Sequence, residues 1–315
     1  MSVYFPADSR FGLYQAGTYT GVTGGIPTRA AGAQISVSAY GWTPSSTGAQ
    51  NTAALQAALA ASAEGDVITI PSGSYPFAGI TLNRNQKNRT IRAAGSNATT
   101  LVLPSGVQAF NLGSDTNLGN VFNPQGQVTT VARGSTSITV NDGAACYGGG
   151  RQLSLITLRN ENVTPVFSTS APADVRSFPV VVTGRSGNVL TLSQPLASNF
   201  AAAMAAGAAR IEAVFQLDWI TRGIGIEGIF FDCTGHSPSN PVFSALISYT
   251  EGCWLKDVKI QSGGNYALYA LLSVNLEITK SQILGISGGT NRAGSGVRQS
   301  NHARGVRRAI RERAL

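Results

Sequence analysis

The sequence predicts an all-β solenoid, a coiled parallel sheet closed at one end by a single helix. Three observations predict it. The stretch from Asn51 to Tyr75 reads as one helix, one glycine, one buried strand and one turn. Apolar strand-like units recur late in the chain, with Ile226, Leu255 and Ile278 in matching positions, and loosely periodic units of roughly 20–50 residues are the mark of stacked repeats. Finally, only 12% of the 315 residues are charged while 37 are glycine, a composition suited to many turns and short strands rather than to a helical enzyme.

Taken in order, residues 1–50 form an irregular leader rich in Gly, Thr, Ser and aromatics. Residues 51–126 hold the capping helix and the first coils. Leu55 and Leu59 stand four apart among alanines, on one helical face, and Asn51 is expected to accept the unpaired amide hydrogens that open the helix. Gly65 is expected to end it, since glycine enters the left-handed conformation without steric cost. Val67-Ile68-Thr69-Ile70 is a β-branched run stopped by Pro71, and Ser72-Gly73-Ser74 turns the chain. Residues 79–82, 90–93 and 101–103 are further short strands separated by turn residues.

Between 127 and 212 the pattern changes to a small inserted β module. A strand is expected over 134–140, and a hairpin over 180–192 whose loop runs from Gly184 to Asn188. The later coils occupy 213–291, and a basic tail follows at 292–315. There, seven arginines face one glutamate, so most of the net charge of +8 lies in the tail and the body is nearly neutral.

The run Gly65-Asp66-Val67-Ile68-Thr69-Ile70-Pro71-Ser72-Gly73-Ser74-Tyr75, preceded by an alanine-rich helix, resembles the opening of the pectate-lyase-like superfamily. That resemblance implies a single-stranded right-handed parallel β-helix whose helix covers the first coil. An uncovered coil would expose an apolar end and unpaired strand edges. The units 253–266 and 275–284 resemble the coil pattern of polygalacturonases and related polysaccharide enzymes, so the resemblance covers roughly 51–110 and 213–291. It transfers no catalytic residue. Where a polygalacturonase carries an Asn-Thr-Asp-Gly segment, this chain reads Gly289-Thr290-Asn291-Arg292-Ala293-Gly294, and the paired aspartates and Gly-His-Gly segment that follow in that family are missing. The sequence therefore looks as though it lacks the C-terminal catalytic coils.

Outward residues of successive coils stack at about 4.8 Å, so a groove can be built from one residue per coil. Glycan cleavage needs a carboxylate pair, or a base with a cation that stabilises an enolate. Asp232, Glu251, Asp257 and Lys259 are the catalytic candidates on the later coils, with Tyr249, Trp254, Lys256 and Tyr266 as candidate substrate contacts. Several have an alternative reading: Asp232 as a turn-capping carboxylate, the Lys256, Asp257 and Lys259 cluster as a solvated face, and Trp254 and Tyr266 as core. His236, in a Gly-His-Ser-Pro loop, reads as a surface residue without a nucleophile elbow beside it.

Cys146, Cys233 and Cys253 form no metal-ligand spacing. Cys233 and Cys253 are expected to stack on adjacent coils as buried free thiols. No cofactor is implied, except Ca2+ if the reaction is a lyase's. The expected partner is a polysaccharide, with nucleic acid engaged only through the tail and no membrane. The tail is read either as an anion-binding helix over 303–315 or as sequence where the coil pattern has stopped. The function expected is binding and cleavage of an extracellular polysaccharide by lyase or glycoside hydrolase chemistry. The alternative is a non-catalytic glycan-binding structural protein such as a phage tail-spike segment or surface adhesin. The location expected is secreted or virion-surface, although the N-terminus lacks signal-peptide regions, with a monomer in the first case and a trimer in a tail-spike.

Overall fold

Each run of alternating apolar residues in the coil segments finds its partner one coil away, in parallel and in register. The computed structural model describes residues 32–113, 134–147, 176–193, 195–196, 220–236, 243–248, 250–262, 266–271 and 276–285, together with residues 132 and 273. It also describes strand backbone at 22–23, 26–27, 126–127, 154–160, 210–216, 298–299 and 307–310.

Three parallel sheets run the length of the solenoid. Sheet 1 stacks Gln34–Ser36, Val67–Ile70, Thr90–Ala93, Gly225–Glu227, Trp254–Lys256 and the start of Glu277–Gly285. Sheet 2 stacks Gly73–Pro76, Thr99–Val102, Phe230–Cys233, Lys259–Ser262 and the end of Glu277–Gly285. Sheet 3 stacks Ile80–Leu82, Phe110–Leu112, Phe243–Ser248 and Tyr266–Leu271. The chain visits sheets 1, 2 and 3 in turn and then climbs one coil, which is a parallel β-helix.

The matching positions read from the sequence are true neighbours: Ile226 pairs with Leu255 and Leu255 with Ile278. Upstream, the same inward column continues through Ile91 and Ile68 to Ile35. Sheet 2 contributes Tyr75, Leu101, Phe231 and Ile260 inward, and sheet 3 contributes Leu82, Leu112, Ile247 and Ala270. All these side chains except Ile35 are buried in one cluster. Each rests on its like in the next coil, so burial needs the neighbouring coil to be present.

Helix α1 (Gly48–Ala61) covers the first coil with Ala54, Leu55, Ala58 and Leu59 buried beneath it. It opens on Thr47 rather than Asn51. The Thr47 hydroxyl and Gln50 side chain form a reciprocal capping box, which leaves Asn51 free for another task. Asn51 is fully buried, accepting from the Thr43 amide and donating to the carbonyls of Thr43 and Pro76, so it pins the helix to the first coil. The helix ends at Ser62, before Gly65, which instead takes φ 94° in the turn into the first sheet 1 strand. Trp42 fills the space under the cap, 5.3 Å from the Tyr75 ring and 6.0 Å from Phe77. This is the only element among the described residues with the length of a regular helix, and none is long and apolar enough to cross a membrane.

The inserted module is antiparallel throughout, with the order Gly126–Gln127, Arg210–Gln216, Ser154–Asn160, Arg176–Ser186, Val189–Leu192 and Ser137–Thr139. Its hairpin is tighter than expected. Ser186 pairs with Val189, leaving a two-residue turn with Gly187 at φ 57° in place of a five-residue loop. Glycine in the first central position of such a turn matches the strand twist, which is why the strands extend to meet it. The module leaves the solenoid undisturbed. Thr90-Ile91-Arg92 still pairs directly with Gly225-Ile226-Glu227.

In the tail, the described backbone is strand, not the basic helix expected over 303–315. Arg307–Ile310 pairs in parallel with Glu277–Gly285, and Arg298–Gln299 with Tyr266–Leu271. An open solenoid edge offers a row of unsatisfied amides and carbonyls, which draws the next segment into the ladder.

Candidate functional site

The outer face of sheet 2 is where the fold gathers polar side chains from different coils. Ser74, Thr100, Phe230, Lys259 and Gln282 form one outward column, one residue per coil. Val102, Asp232 and Gln261 form a second, two residues further along each strand. Neighbours within a column are about 4.8 Å apart. Strand alternation sends these residues outward because Leu101, Phe231 and Ile260 between them point into the core.

Two of the four catalytic candidates, Asp232 and Lys259, share this face in different columns of adjacent coils; the other two lie elsewhere. The Asp232 carboxylate Oδ1 accepts from the Thr234 amide at 3.1 Å and from the Thr234 hydroxyl at 2.6 Å, a local turn closure. The Lys259 Nζ lies 4.5 Å from the centre of the Phe230 ring, its direct partner in the preceding coil. Glu251 sits at the corner leading into sheet 1, where its Oε2 accepts from Arg222 Nε at 3.1 Å. Asp257 occupies the sharp corner between sheets 1 and 2 at φ 52°, and both of its oxygens are bound to Ser96.

Of the substrate-contact candidates, Lys256 is half-buried on the outer face of sheet 1, beside Glu227 in the register. Trp254 is 2% exposed, and its Nε1 donates to Glu227 Oε1 at 2.9 Å. Its ring lies over Gly225, where a Cβ would come within 2.2 Å of the indole. Tyr249 and the Tyr266 side chain lie outside the described residues.

Sequence reasoning passed over three charged residues that the register brings together on sheet 1. Glu227 Oε2 accepts from Arg92 Nε at 2.7 Å while its other oxygen serves Trp254, and Glu277 stands next to Trp254 in the following coil. Glu227 and Glu277 are only 8% and 6% exposed. The position of Glu227, one residue after the matched Ile226, is readable in the unit, but its partner Arg92 lies 135 residues earlier. Only the pairing of coils across the inserted module joins them.

His236 is buried, not on the surface, with Nδ1 3.3 Å from the Ser244 hydroxyl. Burial pulls its pKa below the ordinary 6.5, against the opposing pull of backbone groups at Val107 and Pro104. Cys233 and Cys253 are buried as thiols, but they do not stack. Cys233 pairs in register with Ser262, whereas the Cys253 sulfur approaches the Ile224 amide at 3.4 Å in a different corner. Burial pushes the Cys233 thiol up to about 12. Among the described residues no three His, Cys, Asp or Glu side chains cluster to hold a metal.

No family model and no curated protein matches the chain. Among solved structures it is similar to the tailspike protein gp49 of Pseudomonas phage LKA1, at 15% identity and a TM-score of 0.42 over 79% of this chain and 46% of that one. It is similar to the tailspike gp61 of Pseudomonas phage phi297, at 12% identity and a TM-score of 0.48 over 81% and 49%. The Gp54 tailspike of Acinetobacter baumannii bacteriophage AP22, solved in complex with A. baumannii capsular saccharide, shares 12% identity and a TM-score of 0.45 over 85% and 45%. The chain thus spans about half the length of these structures. By its own strand register, it has a single-stranded parallel β-helix fold.

Proposed function

We propose that this chain binds an extracellular polysaccharide along the outer face of its coils, as the recognition body of a tail-spike-like or adhesin-like surface protein. The observation that carries the reading is the sheet 2 face, where Asp232, Lys259, Gln261 and Gln282 come from three successive coils. A linear polymer presents hydroxyls at repeated intervals. A wall that repeats polar groups at about 4.8 Å can meet them over several sugar units.

Binding is favoured over cleavage because the four acid–base candidates do not converge. Asp232 closes its own turn, Glu251 pairs with Arg222, Asp257 holds Ser96, and Lys259 lies on Phe230. A general acid and base must both reach one scissile bond, and these groups are held apart at two corners and a face.

The test is a panel of neutral and acidic polysaccharides scored for both retention and products. Retention without products is the expected result. Release of unsaturated sugars absorbing in the ultraviolet would establish a lyase instead, and new reducing ends without that absorbance a hydrolase. If nothing is retained or cleaved, the carbohydrate reading fails.

A further inference from the structure

At the capped end, at the corner where the chain passes from sheet 2 to sheet 3, helix α1 and the first two strands of sheet 3 leave an open groove of about 720 Å³. Its walls are Thr52 and Gln56 from the helix, Thr81 and Asn111 from the outer face of sheet 3, and Gln108 from the loop that joins sheet 2 to sheet 3 in the second coil. The size falls within the range of small-molecule sites, roughly 300–1,000 Å³.

The chemistry of these walls is specific. No residue lining the groove carries a charge. Three carboxamides and two hydroxyls surround a floor of Ala78, Gly79, Ile80 and Val107, so the groove offers paired donors and acceptors around an apolar strip. A pyranose has the matching character, hydroxyls at its rim and C–H bonds on its faces. A carboxylate or phosphate finds no cation here and would lose its hydration without a partner. The Asn111 Oδ1 beneath this wall is buried with no hydrogen-bond partner among the described residues, a polar atom the described residues leave unsatisfied at the groove.

The groove is also held open by construction. The Thr52 hydroxyl donates to the Gly79 carbonyl at 3.2 Å and accepts from the Ala78 amide at 3.1 Å, which fixes the helix against the strand. Gly79 stands at φ 77°, and a Cβ there would strike the Gln108 carbonyl, so the loop that carries Gln108 packs directly on the strand. Walls fixed before ligand arrives lower the ordering cost of binding.

We infer that the groove between helix α1 and sheet 3 is a binding subsite for an uncharged saccharide unit, distinct from the sheet 2 face. The inference rests on the reading of the chain as a glycan-binding protein. It adds a second site and names the class of sugar that occupies it.

The experiment titrates the full chain by calorimetry with neutral gluco-, manno- and galacto-oligosaccharides and with acidic oligogalacturonate, at low and high salt. At least one neutral series binds, with an affinity unchanged by salt because no ion pair forms. Gln108→Ala and Asn111→Leu weaken it by tenfold or more, whereas Gln34→Ala, an exposed carboxamide that lines neither the groove nor the sheet 2 face, leaves it unchanged. Gln56→Ala, exposed on the helix, gives the same weakening and serves if Asn111→Leu fails to fold. Binding lost through Gln261→Ala but untouched by the three groove substitutions overturns the subsite and leaves the proposed function standing. Binding of acidic oligosaccharides alone also overturns it. No binding of any glycan removes both.

Discussion

The Asp257 carboxylate holds Ser96 through two hydrogen bonds, 3.1 Å from the amide and 2.7 Å from the hydroxyl, although the residues are 161 positions apart. Gly228 lies in the coil between them, its amide donating to the Lys256 carbonyl and its own carbonyl accepting from Gly95. The aspartate thus reaches across an entire coil. The clamp joins the part of the solenoid before the inserted module to the part after it.

Replacing Asp257 by alanine removes a charged acceptor and places a Cβ-bearing residue without local hydrogen bonding at φ 52°. A loss of about 2–3 kcal/mol in unfolding free energy is expected from urea titration. Asp257→Asn keeps the tolerance of that backbone angle and loses less. If Asp257 were instead a catalytic base, the asparagine variant would abolish product formation while leaving the urea midpoint in place.

Gly228→Ala is a sharper probe of the same corner. A Cβ there would come within 2.7 Å of the Ala93 carbonyl, and the residue sits at φ 68°. Destabilisation of about 2 kcal/mol or more is expected, with unchanged strand content by circular dichroism at low temperature. A midpoint equal to that of the parent would show that the corner relaxes freely.

Trp254→Phe keeps the ring over Gly225 but removes the donor to Glu227 Oε1. The half-satisfied carboxylate makes this substitution cost about 1–3 kcal/mol. Combined with Glu227→Gln, the effects are non-additive, with a coupling of about 0.5 kcal/mol or more by double-mutant cycle. Additive losses would mean that the indole contributes by packing alone.

His236 makes stability depend on pH in a defined direction. Burial lowers its folded pKa below the ordinary 6.5, so between the two values the unfolded chain binds the extra proton. Its contribution is therefore full above about pH 6.5 and is lost as pH falls towards the folded pKa. Unfolding free energies at about pH 7 and about pH 5 should differ more in the parent than in His236→Gln. An equal difference would assign the acid sensitivity to other groups.

The Cys233 thiol, raised to about 12, is expected to resist alkylation at mildly alkaline pH until the chain unfolds. Thiol reagent titration with and without denaturant checks this. Rapid modification of the native protein at Cys233 would show that the end of its strand opens.

What the amino-acid order determined by itself was the local grammar of the coils. The β-branched run from Val67 to Ile70, the matched Ile226, Leu255 and Ile278, and the leucines of helix α1 all depend on neighbours a few residues away or on a repeated period. Residues whose role depends on contact across coils could not be read that way. Asn51 looked like a helix cap and is a buried bridge to Pro76; Trp254 looked like a sugar platform and is tied to Glu227; Asp257 looked like part of a lysine-rich outer face and clamps Ser96. Arg92 and Glu227 meet only because sheet 1 closes over the inserted module, and the groove beside Asn111 exists only because helix α1 docks against sheet 3. In a solenoid, sequence spacing sets which side of the strand a residue takes, while the register between coils decides what it touches.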